Sequence, residues 1–155
     1  MSEPHISIRD LTMAYGPSVI QRDLNFDINK GVIFVIMGGS GCGKSTLLKH
    51  MLGLLDPAKG DIFYNDQSFF QASMKQQDDM RQRWGITYQS GGLFSAMTLA
   101  GNVNLPLQLY TQYSASDRED IIAYKLALVG LGGYQNYYPS EISGGMRKRA
   151  ALARA

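Results

Sequence analysis

The run Gly38-Gly39-Ser40-Gly41-Cys42-Gly43-Lys44-Ser45-Thr46, preceded by Val32-Ile33-Phe34-Val35-Ile36-Met37, constrains the fold of this chain more than any other stretch. The six residues before the glycines are apolar without alternation, which predicts a central parallel strand covered on both faces. Those after them, Leu47-Leu48-Lys49-His50-Met51-Leu52, place apolar side chains at helical spacing. The unit is therefore strand–loop–helix. Its loop fits the pattern Gly-x-x-x-x-Gly-Lys-Ser/Thr. Glycines there let the backbone wrap a phosphate group without Cβ clashes and present several N–H donors to it. In such a loop Lys44 reaches the β- and γ-phosphates of a nucleotide, Ser45 holds Mg2+ through its hydroxyl, and Thr46 donates to an inner phosphate. Cys42 reads as a small filler in the loop.

The flanking sequence supplies the rest of a mixed β/α part. Ile6-Ser7-Ile8 and Leu24-Asn25-Phe26-Asp27-Ile28 alternate apolar and polar residues, which predicts half-buried antiparallel strands separated by a turn at Gly16-Pro17. Asp56-Pro57 and Gly60 are expected to end the helix that follows the loop, with Ile62-Phe63-Tyr64 a strand and Asn65-Asp66 a turn. Gly85-Ile86-Thr87-Tyr88-Gln89 reads as another short strand running into Ser90-Gly91-Gly92. Helical patterns then take over. Ser116-Asp117-Arg118-Glu119 fits a capping box with Ser116 as N-cap. Ile121, Ile122, Leu126 and Val129 follow at helical spacing, closed by Gly130.

A second glycine motif opens the last predicted helix. Ser143-Gly144-Gly145-Met146 precedes the basic, Ala-rich run Arg147-Lys148-Arg149-Ala150-Ala151-Leu152-Ala153-Arg154-Ala155. A serine-capped helix N-terminus with two glycines is a natural place for a phosphate group, because free N–H groups and the helix dipole both face it. The basic run, Arg147, Lys148, Arg149 and Arg154, reads mainly as a solvated helix face. The 155 residues carry a formal net charge of +2, with 45% hydrophobic and 18% charged residues. That balance suits a globular protein with a real core and gives no argument for nucleic acid. No apolar run approaches the roughly 20 residues that cross a bilayer, and a single cysteine excludes an internal disulfide.

The two glycine motifs together resemble those of ATP-binding-cassette (ABC) ATPases, along essentially the whole chain. The resemblance implies an α/β fold of the P-loop NTPase type, an ABC nucleotide-binding domain with an antiparallel β part, a helical subdomain and an incomplete RecA-like core. It implies residues 1–90 as the ATP-binding β/α core, 91–142 as the helical subdomain and 143–155 as the signature motif with the start of its helix. It implies that ATP and Mg2+ bind at Gly38–Thr46, that Tyr15 stacks on adenine, and that Gln89 ligates Mg2+ beside Ser45 and senses the nucleotide. Ser143, Gly144, Gly145 and Met146 stand where the family's signature covers the phosphate bound by a second copy. Met146 replaces the usual Gln. The apolar residues Leu93, Phe94, Met97, Leu99, Val103 and Leu105 lie where the family receives a membrane subunit, although most such residues simply fill a helical core.

Narrower stretches, Tyr88–Phe94, Met97-Thr98-Leu99, Asn102-Val103, Pro139–Met146 and Arg149–Ala155, look like the ATPases of Mla-type phospholipid transporters. This branch implies a homodimer on the inner face of the cell membrane, a membrane permease partner, an indirect MCE-type lipid-binding partner and no nucleic acid. The same residues also suit an amino-acid or methionine-type importer ATPase, and a non-catalytic nucleotide-binding module is the alternative of a different class. The family's catalytic Asp-Glu pair and switch histidine have no counterpart here: Asp78-Asp79 lies in a polar stretch and Glu119-Asp120 in a capped helix. The 155 residues alone are thus expected to be deficient in ATP hydrolysis, and the apolar strand Val32–Met37 to promote self-association.

Overall fold

The computed structural model describes residues 4–155, in which alternation near the N-terminus gives one long hairpin. Strand β1 (Pro4–Tyr15) pairs antiparallel with β2 (Ser18–Asn29), with Ile6 opposite Ile28, Ile8 opposite Phe26 and Leu11 opposite Leu24. The turn at Gly16-Pro17 joins them, and Tyr15 faces Ser18 across it. Strand β3 (Lys59–Tyr64) pairs with the other edge of β1. Asn65 and Asp66 both take positive φ, 47° and 63°, the geometry of a tight hairpin turn, and lead into β4 (Gln67–Ser68). The sheet order is β2-β1-β3-β4. Ile8, Leu11, Met13, Ile62, Tyr64 and Phe69 are buried, as are Leu47 in the middle of the helix that follows the glycine loop and Leu52 at its C-cap.

That helix is α1 (Lys44–Met51). It stops earlier than Asp56-Pro57. The amide of Gly53 donates to the carbonyl of His50 and that of Leu54 to the carbonyl of Lys49, which closes the helix end at Gly53. The Tyr64 hydroxyl donates to the carbonyl of Met51, one of the last carbonyls that a helix leaves without an internal partner. Burial pushes the Tyr64 phenol well above its ordinary range. His50 is fully buried, and its Nδ1 lies 2.8 Å from the carbonyl oxygen of Leu55. A carbonyl only accepts, so Nδ1 carries the proton. Helix α2 (Met74–Arg81) ends this unit, which spans 4–81.

The expected parallel strand Val32–Met37 is absent among the described residues. Its residues join no ladder, and Ile33 and Met37 are 96% and 84% exposed. Apolar character favours burial, but a strand exists only where neighbours accept its hydrogen bonds. Here the segment is anchored by one ring: Phe34 stacks on Phe26 of β2 with centroids 5.5 Å apart. The same correction applies to Gly85–Gln89, which also forms no strand.

Residues Gln82–Ala155 make the second unit. Helices α3 (Leu99–Tyr110), α4 (Ala115–Leu128) and α5 (Gly144–Arg154) bury Leu99, Val103, Ile122, Leu126, Leu131, Ile142, Ala150 and Ala153 in one cluster. The capping box of α4 is two residues earlier than expected. Ser114 accepts from the Asp117 amide at 3.1 Å, and the Asp117 carboxylate accepts from the Ser114 amide at 3.1 Å. Ser114-x-x-Asp117 and Ser116-x-x-Glu119 overlap, and the earlier one gains an extra half-turn of helix. The C-terminus of α4 is as read: Gly130 donates to Ala127 and Leu131 to Leu126, with Leu126 and Leu131 both buried.

Candidate nucleotide-binding and signature sites

In the first unit the glycine loop is held from one side by the hairpin. Gln21 Nε2 of β2 donates to the Cys42 carbonyl at 3.0 Å. Gly43 caps α1 at φ 97°, and a Cβ built there would stand 2.8 Å from Ile20 Cγ2 and 3.3 Å from Met13 Cε. Both the dihedral and the packing demand glycine at that position. The Cβ positions of Gly39 and Gly41, in contrast, open onto free space. Lys44 Nζ donates to the carbonyls of Gly38 and Gly39, each at 2.7 Å, and lies 3.5 Å from Cys42 Sγ. The ammonium is thus gathered against the rim of the loop. The amides of Lys44, Ser45 and Thr46 belong to the first turn of α1, where no intrahelical acceptor exists.

A cation, a fan of first-turn amides and a hydroxyl at Ser45 form a donor set that suits a polyphosphate and its divalent ion. The open space at Gly39 and Gly41 is the room such a group needs. Tyr15 ends β1 two residues beyond Met13 and is 45% exposed. The hairpin therefore brings Tyr15 to the end of the sheet that touches the loop, with its ring accessible for stacking.

The second unit holds the other sequence-derived positions. Gln89 is exposed in the loop after residues 85–88, and the Gly91 amide donates to the Tyr88 carbonyl at 2.8 Å. Ser143 caps α5, accepting from the Met146 amide at 3.3 Å. Gly144 and Gly145 form the exposed first turn behind it. Met146 packs against the buried cluster of α3, α4 and α5. At this position an apolar side chain anchors the start of α5 where a glutamine would seek water or a polar partner.

Several residues with structural authority over these loops carried no local signal. Asn102, fully buried on α3, accepts from the Phe94 amide at 2.8 Å and donates to the carbonyls of Phe94, Met97 and Thr98 at 3.0–3.2 Å. It holds the stretch 94–98 that leads into α3. The N-terminus of α3 is covered by the loop before the signature, since Leu99 and Ala100 donate to the carbonyls of Tyr137 and Gln135. Of the apolar set expected around this loop, Leu99 and Val103 are core, Leu93 packs against it, and Phe94 is exposed. The basic run is not simply a solvated face. Arg149 donates to the carbonyls of Val129 and Gly130, and Arg154 to those of Gly92 and Gly91.

Comparison with known proteins fits this geometry. The sequence profile of the family described as ABC transporter matches residues 21–155. The chain belongs to the ABC transporter family. Among curated relatives, the intermembrane phospholipid transport system ATP-binding protein MlaF of Haemophilus influenzae is 41% identical over 155 residues, covering 100% of this chain and 59% of its own. MlaF of Escherichia coli K12 is 37% identical over 150 residues, 97% of this chain and 56% of its own. The probable ribonucleotide transport ATP-binding protein mkl of Mycobacterium leprae is 43% identical over 150 residues, 97% of this chain and 43% of its own. The chain thus spans roughly half the length of the curated ABC relatives it matches. The solved dimeric structure of MJ0796, a bacterial ABC transporter cassette, superimposes with a TM-score of 0.87 at 27% identity, covering 96% of this chain and 68% of that one. The fold is that of an ABC-type P-loop cassette.

Proposed function

We propose that this chain is the nucleotide-binding part of an ABC transport ATPase that moves phospholipid between membranes. The observation that carries the reading is the loop Gly38–Thr46. Its lysine is gathered at the rim, its helix amides are free of intrahelical acceptors, and its glycines leave room for phosphate. Mg-ATP would supply a phosphoanhydride whose terminal phosphate can be transferred to water. Lys44 neutralises charge on the outer phosphates, Ser45 and Gln89 are the side chains offered to Mg2+, Thr46 serves an inner phosphate, and Tyr15 stacks on adenine. Ser143, Gly144 and Gly145 present a helix N-terminus to the phosphate bound by a second copy.

The partners follow from the same reading: a second ATP-binding subunit, a membrane permease and, through it, an MCE-type lipid-binding protein. The place of work is the cytoplasmic face of the cell membrane. No helix among the described residues is long and apolar enough to cross a membrane. The lipid assignment is supported by the two MlaF relatives; the name of the 43% identical mkl relative favours ribonucleotide as a second cargo. Calorimetric titration with ATP, with and without Mg2+, tests the nucleotide reading: binding that Mg2+ strengthens is expected, and no binding under either condition contradicts it. Co-purification from membranes decides the rest. A permease with bound phospholipid is the expected catch, whereas ribosomes or nucleic acid would overturn the transport assignment.

A further inference from the structure

The stretch from Gly85 to Gly92 lies lengthwise on α5, and three separate contacts record this. At one end, a Cβ built on Gly85 would stand 2.5 Å from the carbonyl oxygen of Ala155. At the other, a Cβ on Gly91 would stand 3.3 Å from the Arg147 carbonyl oxygen and 3.6 Å from Ala151 Cβ, so the buried Gly91 backbone rests on one turn of the helix. Arg154 closes the arrangement. Its Nη1 donates to the Gly92 carbonyl at 2.7 Å and its Nη2 reaches the Gly91 carbonyl at 3.4 Å. A guanidinium spans two successive carbonyls with one rigid plane, which an ammonium on a flexible stem does not do.

We propose that Arg154 is a positioning residue that fastens the Gln89 loop to the signature helix, so that the two answer the nucleotide as one body. The proposal rests on the nucleotide-binding reading above and adds to it a specific clasp. Gln89 stands two residues before Gly91, and Ser143 caps the opposite end of the helix that carries Arg154. A shift of Gln89 is therefore transmitted to the backbone that Arg154 holds, and from there along α5 to Ser143, Gly144 and Gly145. Arg149 provides a contrast on the same helix. It grips the end of α4 through Val129 and Gly130, and so holds α5 in the helical core.

Trp84, the single tryptophan, lies five residues before Gln89 and reports on this segment. Mg-ATP is titrated into wild type, Arg154→Ala, Arg154→Lys and Arg149→Ala, following Trp84 emission and, separately, binding of a fluorescent ATP analogue. Wild type and Arg149→Ala are expected to show the emission change. Arg154→Ala is expected to bind the analogue with unchanged affinity and lose the emission change, and Arg154→Lys to recover part of it. Analogue binding with an undiminished change in Arg154→Ala, or with flat emission in wild type, overturns the clasp alone. Absence of analogue binding to wild type overturns the nucleotide reading and the clasp together. Hydrogen exchange of the free proteins covers the case of a poorly folded alanine variant. Amides 85–93 of Arg154→Lys are expected to exchange about tenfold faster while those of α3 and α4 are unchanged. Equal exchange at 85–93 contradicts the proposal.

Discussion

The two glycine motifs are built by opposite means. Around the signature, backbone segments are fastened by side chains from other elements: Asn102 holds the stretch 94–98, Arg149 the end of α4 and Arg154 the Gln89 loop, while Ser143 caps its own helix locally. The phosphate loop instead leans on one hairpin through Gln21, Ile20 and Met13, and its own lysine ties down its rim. The segment leading into it leaves Ile33 and Met37 to solvent. A loop held by its own catalytic-type cation is prepared to exchange carbonyl oxygens for phosphate oxygens. Loops held from outside are prepared to keep their shape while they move. On the proposed function, the difference separates a ligand-receiving element from a transmitting one.

The strongest way to break this contrast is through Asn102. Replacing it with Ala removes four hydrogen bonds and leaves the Phe94 amide and carbonyl without their side-chain partner in a part-buried setting. The expected loss is about 3 kcal/mol in urea unfolding of the second unit. A loss below about 1 kcal/mol would show that solvent satisfies the loop and that it is not held from outside. A smaller effect is expected at the other motif. Tyr64→Phe deletes the donor to the Met51 carbonyl at the end of α1 and should cost about 1 kcal/mol.

The Tyr64 phenol also gives a pH dependence. Its folded pKa is raised by burial, so the folded state binds the proton more tightly than the unfolded chain. The stabilisation is fully present below the ordinary tyrosine range and is lost as pH rises above about 10. Denaturant midpoints should fall through that window in wild type and fall less in Tyr64→Phe. The smallest effect on stability is expected for Ile33→Asp, within about 0.5 kcal/mol, because the side chain is exposed. Its effect on association is the informative one. Sedimentation should show less self-association than wild type, and equal association would mean that this segment is not the adhesive surface.

Much of the local structure at both motifs was legible because its signals are local. The phosphate loop, the Ser143 cap, the Gly130 helix stop and the Asn65-Asp66 turn each depend on a few neighbouring residues whose dihedrals and hydrogen bonds close within one turn. Two strands were misread for a common reason. Val32–Met37 and Gly85–Gln89 have strand-like composition, yet a strand is a relation to a neighbour that a single segment does not contain. The capping box shifted because two Ser-x-x-acid patterns overlap at 114–119, and α1 closed at Gly53 ahead of the proline that was expected to stop it. Arg149, Arg154 and Asn102 were invisible as anchors. Arginine on a basic helix and asparagine in a helical run look solvated until tertiary structure shows which carbonyls they meet.

The central claim is that the loop Gly38–Thr46 receives the phosphates of Mg-ATP. Backbone amide NMR during a Mg-ATP titration tests it residue by residue. The expected result is large shifts at 38–46, with affinity reduced at least about tenfold in Lys44→Ala, where a charge-assisted contact to phosphate is gone. Shifts that spare this loop, or an affinity indifferent to Lys44, would contradict the account.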